Sequence, residues 1–317
     1  MATLQEIDAL TRRYFIPMLV DNAFSSNILM MWLARKAKKA DGGTELVLPV
    51  VLSTPGLAQS YTGADELPLS FTTTNYAAEF PWANYAELIP ITGEDDYKNQ
   101  GDSAVVNLIQ AKVQEADLDL RQTIGSHLQL DGTGNSSKNI IGLAAAVDDG
   151  TNVVTYGNIS RTTFTNWKAV YSANASVGRA LTLSLMNTMM ENTSKDNDKP
   201  NLIITTHGCH SKFIGLQQPN VRYENADLAN MGFKNVAFQG RLVVVDEQVQ
   251  TSPVHKVWFL NSNYLDLWSQ RSRFFRYVPF QQLPTQDAAV AKILVTLQLV
   301  CSSPRMQGQL TDVDPSL

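Results

Sequence analysis

The residues best placed to do chemistry are His207-Gly208-Cys209-His210, where three metal-ligating side chains fall within four positions. Zinc needs three or four converging ligands. The remaining histidines are His127 and His255, and no spaced cysteine pair completes a structural site. The four residues therefore read as a strand-to-helix turn with His207 or Gly208 near the cap. A nucleophilic Cys209 or Cys301 requires a positioned histidine and an orienting group, and the strand context of Cys301 favours a small buried side chain. Gly132-x-Gly134 follows a helical pattern and lacks the third glycine and preceding strand of a phosphate-cradling turn. Glu94-Asp95-Asp96 has no EF-hand spacing after it and reads as a solvated junction. Neither Ser-x-x-Lys nor G-x-S-x-G occurs in the sequence. The expectation is no catalytic residue, no metal and no cofactor, so function must be sought in the elements themselves.

Among those elements one stretch stands out. Val105, Ile109, Val113, Ala116, Leu120, Ile124 and Leu128 repeat at steps of three and four, a continuous helical stripe. Asp102 or Ser103 supplies an N-cap, and Asp131-Gly132-Thr133-Gly134-Asn135 breaks the pattern. A helix of about 28 residues is roughly 40 Å long, well beyond the usual globular length. Gln110, Glu115, Asp117, Arg121 and Gln122 lie on the opposite face, so the helix runs along a surface. It reads as a strut.

This strut followed by DGTGNSSKNIIGL resembles the major capsid proteins of tailed bacteriophages, the HK97-like fold. There a spine helix runs into a G-D/N-G-x-x-x-P-x-G-hydrophobic turn. Asp131, Gly132, Gly134, Asn135, Gly142 and Leu143 match it, and Lys138-Asn139-Ile140 stands where the usual proline would be. Gly240 to Asp246 resembles the family's G-x-hydrophobic-V-V-x-D near the end of the axial domain, and Ser303 to Leu310 its closing segment.

The bulk numbers agree with an ordered protein. With 317 residues there is material for two or more lobes. A 44% hydrophobic and 17% charged composition is globular and charge-poor. A net charge of −5 argues against wrapping nucleic acid in a basic groove and suits a container lining that does not stick to packed DNA. Two distant cysteines make a disulfide framework unexpected and a reducing compartment the default. The first residues show no signal-peptide pattern, and the longest apolar run, Ile28 to Ala34, is far short of a membrane span.

Read in order, residues 3–39 form an arm of two short helices broken at Pro17. Ile28, Leu29, Trp32 and Leu33 make the second helix's apolar patch, and Arg35, Lys36, Lys38 and Lys39 follow at its end. Those cations read chiefly as a helix C-terminus stopped by Gly42-Gly43, with contact to nucleic acid or an acidic neighbour as the alternative. Thr44 to Leu52, Leu67 to Ala78 and Tyr85 to Thr92 read as extended, with Pro49 confining the first to an edge. Turn signals lie at Thr54-Pro55-Gly56 and Thr62 to Asp65. The segment has too few large aliphatics for a core of its own, and reaching onto another subunit would resolve that. A short strand is expected at Val153–Tyr156, and helices at Thr162–Ala175 and Gly178–Asn192. The latter has a core stripe of Leu181, Leu185, Met186 and Met189. Asn201–Thr206 reads as a buried strand with a helix from His207 to Leu216, giving an α/β lobe. Gln217–Asn230 is a loop, and Phe238–Asp246, Lys256–Leu260, Phe274–Phe280 and Ala288–Cys301 are strands. In the last, Ala291, Ile293, Val295, Leu297, Leu299 and Cys301 share a face.

The resemblance implies an α+β HK97-like fold divided as an N-terminal arm (1–43), an extended hairpin or E-loop (44–98), and a peripheral domain with the spine helix (99–158). An axial domain (159–255) and peripheral-domain return strands with the C-terminus (256–317) complete it. It implies assembly contacts at the E-loop tip (Gly56, Tyr61, Thr62, Gly63, Asp65, Leu67), at an axial-domain loop (Asn220, Arg222, Tyr223, Glu224) and on the arm (Trp32, Arg35, Lys36). The implied function is a non-enzymatic head protein forming pentamers and hexamers of an icosahedral shell around double-stranded DNA. It would be made in the bacterial host cytoplasm and reside in the virion, with a scaffolding protein and a portal as partners, no sequence-specific DNA binding and no membrane; the scaffold is expected as a separate protein or as a domain cleaved from ahead of this chain, the initial Met favouring the former. An encapsulin nanocompartment shell is the second reading. An α/β enzyme with an accessory hairpin is the third.

Overall fold

A computed structural model describes residues 27–67, 69, 71, 73–94, 108–196, 198–217, 237–251, 254–282 and 284–317. The first arm helix and its break at Pro17, the start of the spine helix and the loop carrying Asn220, Arg222, Tyr223 and Glu224 lie outside the described residues.

In chain order the elements open with α1 (Ile28–Arg35), β1 (Lys38–Ala40), β2 (Glu45–Val51), β3 (Asn75–Pro81), β4 (Ala83–Thr92) and α2 (Leu108–Leu128). After short turns come β5 (Thr155–Tyr156), β6 (Ile159–Ser160), β7 (Val170–Ser172), α3 (Leu183–Thr193), β8 (Leu202–Thr205) and α4 (His207–Gln217). The chain closes with β9 (Ala237–Phe238), β10 (Arg241–Val245), β11 (His255–Leu260), β12 (Leu265–Gln270), β13 (Arg276–Gln282), β14 (Ala288–Cys301) and β15 (Gly308–Val313). No described helix is long and apolar enough to cross a membrane.

Two units divide the chain. The smaller takes in residues 86–120 and 277–294, the larger residues 25–85, 121–276 and 295–317. In the smaller, β14 runs beside β13, and β4 also pairs with β14. Gly93 donates its amide to the Asp287 carbonyl at 3.0 Å, and a Cβ at Gly93 would strike the Asp287 carboxylate. In the larger unit β14 pairs antiparallel with β12, from Leu265 opposite Cys301 to Ser269 opposite Leu297, and β12 pairs parallel with β1. The period-two face of β14 from Ala291 to Cys301 is buried as expected.

The larger unit also holds a six-stranded sheet in the order β7-β15-β11-β8-β10-β9. Its core joins Met186, Met189 and Met190 of α3 and Cys209 and Phe213 of α4 to Ile203, Val243, Val257, Phe259 and Leu310 of the strands. Thr182 caps α3 by accepting the Leu185 amide. The expected α/β lobe is there, but it includes more of the chain than expected: the boundary at 255/256 falls inside β11, and β15 sits between β7 and β11. Strand β15 was hidden from pattern reading because Gln309, Thr311 and Asp312 are polar yet buried.

Two local expectations are corrected. Thr162–Ala175 is not a helix; it holds a short 3-10 turn at Thr165–Trp167 and then β7. The Trp167 indole N–H is committed to the Tyr156 carbonyl at 2.9 Å, and β7 completes the sheet edge beside β15. Lys38 and Lys39 do not belong to the arm helix, which ends at Arg35. They enter β1, held by an ion pair from Lys38 to Asp266 at 2.6 Å.

Candidate assembly surface

The hairpin of β2 and β3 pairs from Glu45 opposite Pro81 to Val51 opposite Asn75. Its base is fixed to the chain that follows the spine helix. Phe80 is fully buried, edge-on to the Tyr156 ring at 5.1 Å between centroids. Gly157, at φ +58, leaves room for Phe80 and Ala78, which a Cβ there would meet at 2.8 and 3.0 Å. The Glu79 amide donates to the Gly157 carbonyl at 3.1 Å, and the Tyr76 ring lies 4.6 Å from that of Phe164.

Away from the base the ladder between the two strands ends, at Val51 opposite Asn75. The Leu52 amide still reaches the Thr74 carbonyl at 3.2 Å. Beyond it the described residues up to Phe71 form no helix or strand, only the turn at Thr62–Asp65. There the Thr62 amide donates to the Asp65 carboxylate at 2.8 Å, and Gly56 and Gly63 take positive φ. Tyr61, Leu67, Leu69 and Phe71 are exposed, Leu69 at 84% and Phe71 at 95%. Exposed apolar side chains gathered on one loop are the kind of feature found at interaction surfaces. Gly56, Tyr61, Thr62, Gly63, Asp65 and Leu67 thus fall together on this loop; Leu69 and Phe71 are additions that the Thr-rich run around them obscured.

The spine helix ends in a turn whose glycines are required by close approach. A Cβ at Gly142 would lie 2.5 Å from the carbonyls of Leu128 and Leu130, and one at Gly132 2.9 Å from the Ile141 Cα. Asp131 closes the turn by accepting the Thr133 amide and hydroxyl at 3.0 and 2.8 Å. Tyr85 joins hairpin to helix end: its hydroxyl accepts the Ile140 amide and meets His127 Nδ1, both at 3.0 Å. Burial pushes the Tyr85 hydroxyl up and the His127 imidazole down from their ordinary values.

Next to this turn lies a charged core that the sequence did not announce. Arg161 is fully buried. It donates to the carbonyls of Ala145 (2.7 Å), Ala146 (3.0 Å), Val153 (2.9 Å) and Trp167 (3.3 Å). Asp148 lies 3.9 Å away and accepts the amides of Gly150, Asn152 and Val153. Burial lowers the Arg161 guanidinium from its usual range, with Tyr156 and Asp148 acting against it. One guanidinium therefore ties together three stretches of connecting backbone, at 145–146, 153 and 167. Its only sequence signal was an arginine at the end of a glycine-spaced connector.

On the arm, Asn27 caps α1 by accepting the Met30 amide, and the buried Asp246 carboxylate accepts the Leu29 amide, both at 2.9 Å. Burial raises the Asp246 carboxyl. Trp32 is half-buried beneath the Lys36 ammonium, which also donates to the Ser262 hydroxyl at 3.2 Å; Arg35 is exposed. Among the described residues no three His, Cys, Asp or Glu side chains group to hold a metal. Exposed His207 faces Glu247 at 3.7 Å, whereas Cys209 is buried and burial raises its thiol.

No family model matches the chain, and no curated protein matches it. Solved structures do. A cyanophage A-1(L) capsid chain aligns over 98% of this chain and 99% of its own, at 17% identity and a TM-score of 0.73. The capsid of an empty GTA particle aligns over 98% of each at 9% identity and 0.68. This is the HK97-like fold. A holo-SrpI encapsulin chain from Synechococcus elongatus PCC 7942 also shares the HK97-like architecture, over 100% of this chain and 97% of its own, at 10% identity and 0.65.

Proposed function

We propose that the chain is the major subunit of a phage-type icosahedral head, a structural and non-enzymatic protein that closes pentamers and hexamers of itself around double-stranded DNA. The observation that carries this reading is the hairpin on an HK97-like body: rigidly seated at Phe80, and bare at Leu69 and Phe71. Burying two such side chains on a neighbouring copy contributes about 1.5–3 kcal/mol each, and closed symmetry repeats that gain at every subunit. In this reading residues 44–98 are the E-loop, Trp32, Arg35 and Lys36 mark the arm, and Asn220, Arg222, Tyr223 and Glu224 lie where axial-domain subunits meet. Scaffolding protein and portal are the assembly partners, and the virion is the destination.

An encapsulin-type compartment is the second reading, favoured by the full-length match to the SrpI shell chain. Negative-stain microscopy of the purified protein tests the shell, and the contents separate the two readings. Closed particles carrying DNA support a phage head, and particles carrying enzyme support a compartment. A chain that stays monomeric at high concentration, with a scaffolding partner supplied, overturns both.

A further inference from the structure

The six-stranded sheet spends one face on the core with α3 and α4, where Val257, Phe259 and Leu310 point. Alternation turns Lys256, Trp258 and Gln309 to the other face. Register sets Gln309 of β15 between Tyr171 of β7 and Trp258 of β11. Together with Lys256, and with Gln129 and Asp131 just past the end of α2, these side chains line a cleft of about 540 Å³. All six residues belong to the larger unit.

Two things in this cleft are left unanswered by the chain. Gln129 is 6% exposed and Trp258 1%, and neither end of the Gln129 carboxamide nor the Trp258 indole N–H has a partner among the described residues. Native structures rarely leave buried polar atoms so. The second is a cation. Lys256 is half-buried, with its ammonium 6.0 Å from the Trp258 ring centroid. Burial lowers that ammonium from its ordinary value, with Asp312, Asp131 and Asp148 acting against it. Each of those carboxylates is committed elsewhere. Asp312 accepts the Asn174 and Ser176 amides at 2.6 and 3.1 Å. Asp131 holds the Thr133 amide and hydroxyl, and Asp148 the amides of Gly150, Asn152 and Val153. Among the described residues none of the three forms an ion pair with Lys256.

We infer that this cleft binds a small organic carboxylate with an adjacent amide, of the acylated amino acid type, Lys256 and the Trp258 N–H taking the carboxylate and Gln129 the amide. A desolvated cation without a counter-charge costs free energy that a ligand's anion offsets. A single ammonium suits a monoanion, whereas phosphoryl groups favour arginine forks, and the Arg161 guanidinium is already spent on four carbonyls. Gln129 offers a donor and an acceptor at once, the complement of an amide. The volume falls within the roughly 300–1,000 Å³ of small-molecule sites. The free carboxyl end of a polypeptide carries the same chemistry, so the source is settled by comparing probes. None of this depends on the shell reading.

The experiment is isothermal titration calorimetry on the unassembled subunit, with thermal unfolding alongside. The probes are N-acetylglycine, its uncharged analogue N-acetylglycinamide, and N-acetyl-trialanine with a free carboxyl end. N-acetylglycine should bind and raise the unfolding midpoint, and the uncharged analogue should do neither. Lys256→Met and Gln129→Leu should each lower the affinity by about tenfold or more, whereas Lys138→Met, exposed elsewhere, should not. Circular dichroism checks that the variants are folded. Without any probe, Lys256→Met should unfold at a higher temperature than the parent, because it removes an unpaired, desolvated cation. Tighter binding of the tripeptide supports the site with a polypeptide end as its source, and tighter binding of N-acetylglycine supports it with a free acyl amino acid. No binding of either acid, equal binding of the uncharged analogue, or unchanged affinity in Lys256→Met overturns the assignment.

Discussion

At the scale of single residues, Arg161 carries the largest stake. Its guanidinium is the partner of four carbonyls, those of Ala145, Ala146 and Trp167 in buried bonds, and the counter-charge of buried Asp148. Arg161→Met keeps much of the side-chain bulk but leaves those groups unpaired. Removing one side of a buried pair costs about 3–5 kcal/mol, so urea unfolding should show a loss of that order; a loss near zero would mean that water replaces the guanidinium. Cys301 gives a pH-dependent case. Burial pushes its thiol up to about 12, whereas an exposed cysteine titrates near 8.5 (about). Between those values the folded chain keeps a proton that the unfolded chain has lost, so stability falls as pH rises, by up to about 1.4 kcal/mol per pH unit. Thiol reagents should label neither Cys209 nor Cys301 until the chain unfolds, and Cys301→Ala should flatten the alkaline limb of the stability curve.

At the scale of elements, the same physics explains what could be read from the sequence. Helix α2 and β14 were legible because their apolar residues keep a strict period, and Ala116, Leu120, Ile124 and Leu128 and the β14 face from Ala291 to Cys301 are buried; of the hairpin, the first strand lies where its run was expected, whereas the run expected to be extended at Leu67–Ala78 forms a strand only at Asn75–Pro81. The glycine turn after α2 was legible because its Gly132 and Gly142 answer to backbone approach alone. Strand β15 and the Arg161–Asp148 core were not, because buried polar groups carry no period; only their partners explain them, and those lie far along the chain. Likewise β1 was hidden in a run of lysines until Asp266 supplied its ion pair. Of the proposed surface, the loop's turn residues were visible from Gly and Asp signals, whereas Leu69 and Phe71 become significant only once their exposure is known. That exposure makes a prediction at this scale. Replacing both by serine removes no intrachain packing, so the folded subunit should keep its thermal midpoint within about 0.5 kcal/mol of stability. Assembly should weaken sharply. Equal assembly by sizing chromatography would mean that the loop docks through other residues.

At the scale of the whole molecule, the proposed shell would change what the hairpin experiences. In a free subunit, most of the described side chains from Thr54 to Phe71 are exposed and, beyond the Leu52–Thr74 bond, little backbone pairing holds them, the conditions under which segments open locally and are cut. Trypsin is blind here, because residues 44–92 contain no Lys or Arg. Chymotrypsin is not, since Tyr61 and Phe71 are both exposed on the loop. Free subunits should therefore be cleaved at these two residues first, giving fragments divided near the hairpin tip. If the proposed contact forms, particles should resist, because a loop bound to a neighbour is held closed by whatever free energy that contact supplies. Dissociating the particles should restore cleavage. If assembled and free protein are cut at the same rate at Phe71, the loop stays bare in the particle, and the contact that closes the shell must be sought on the arm or the axial lobe.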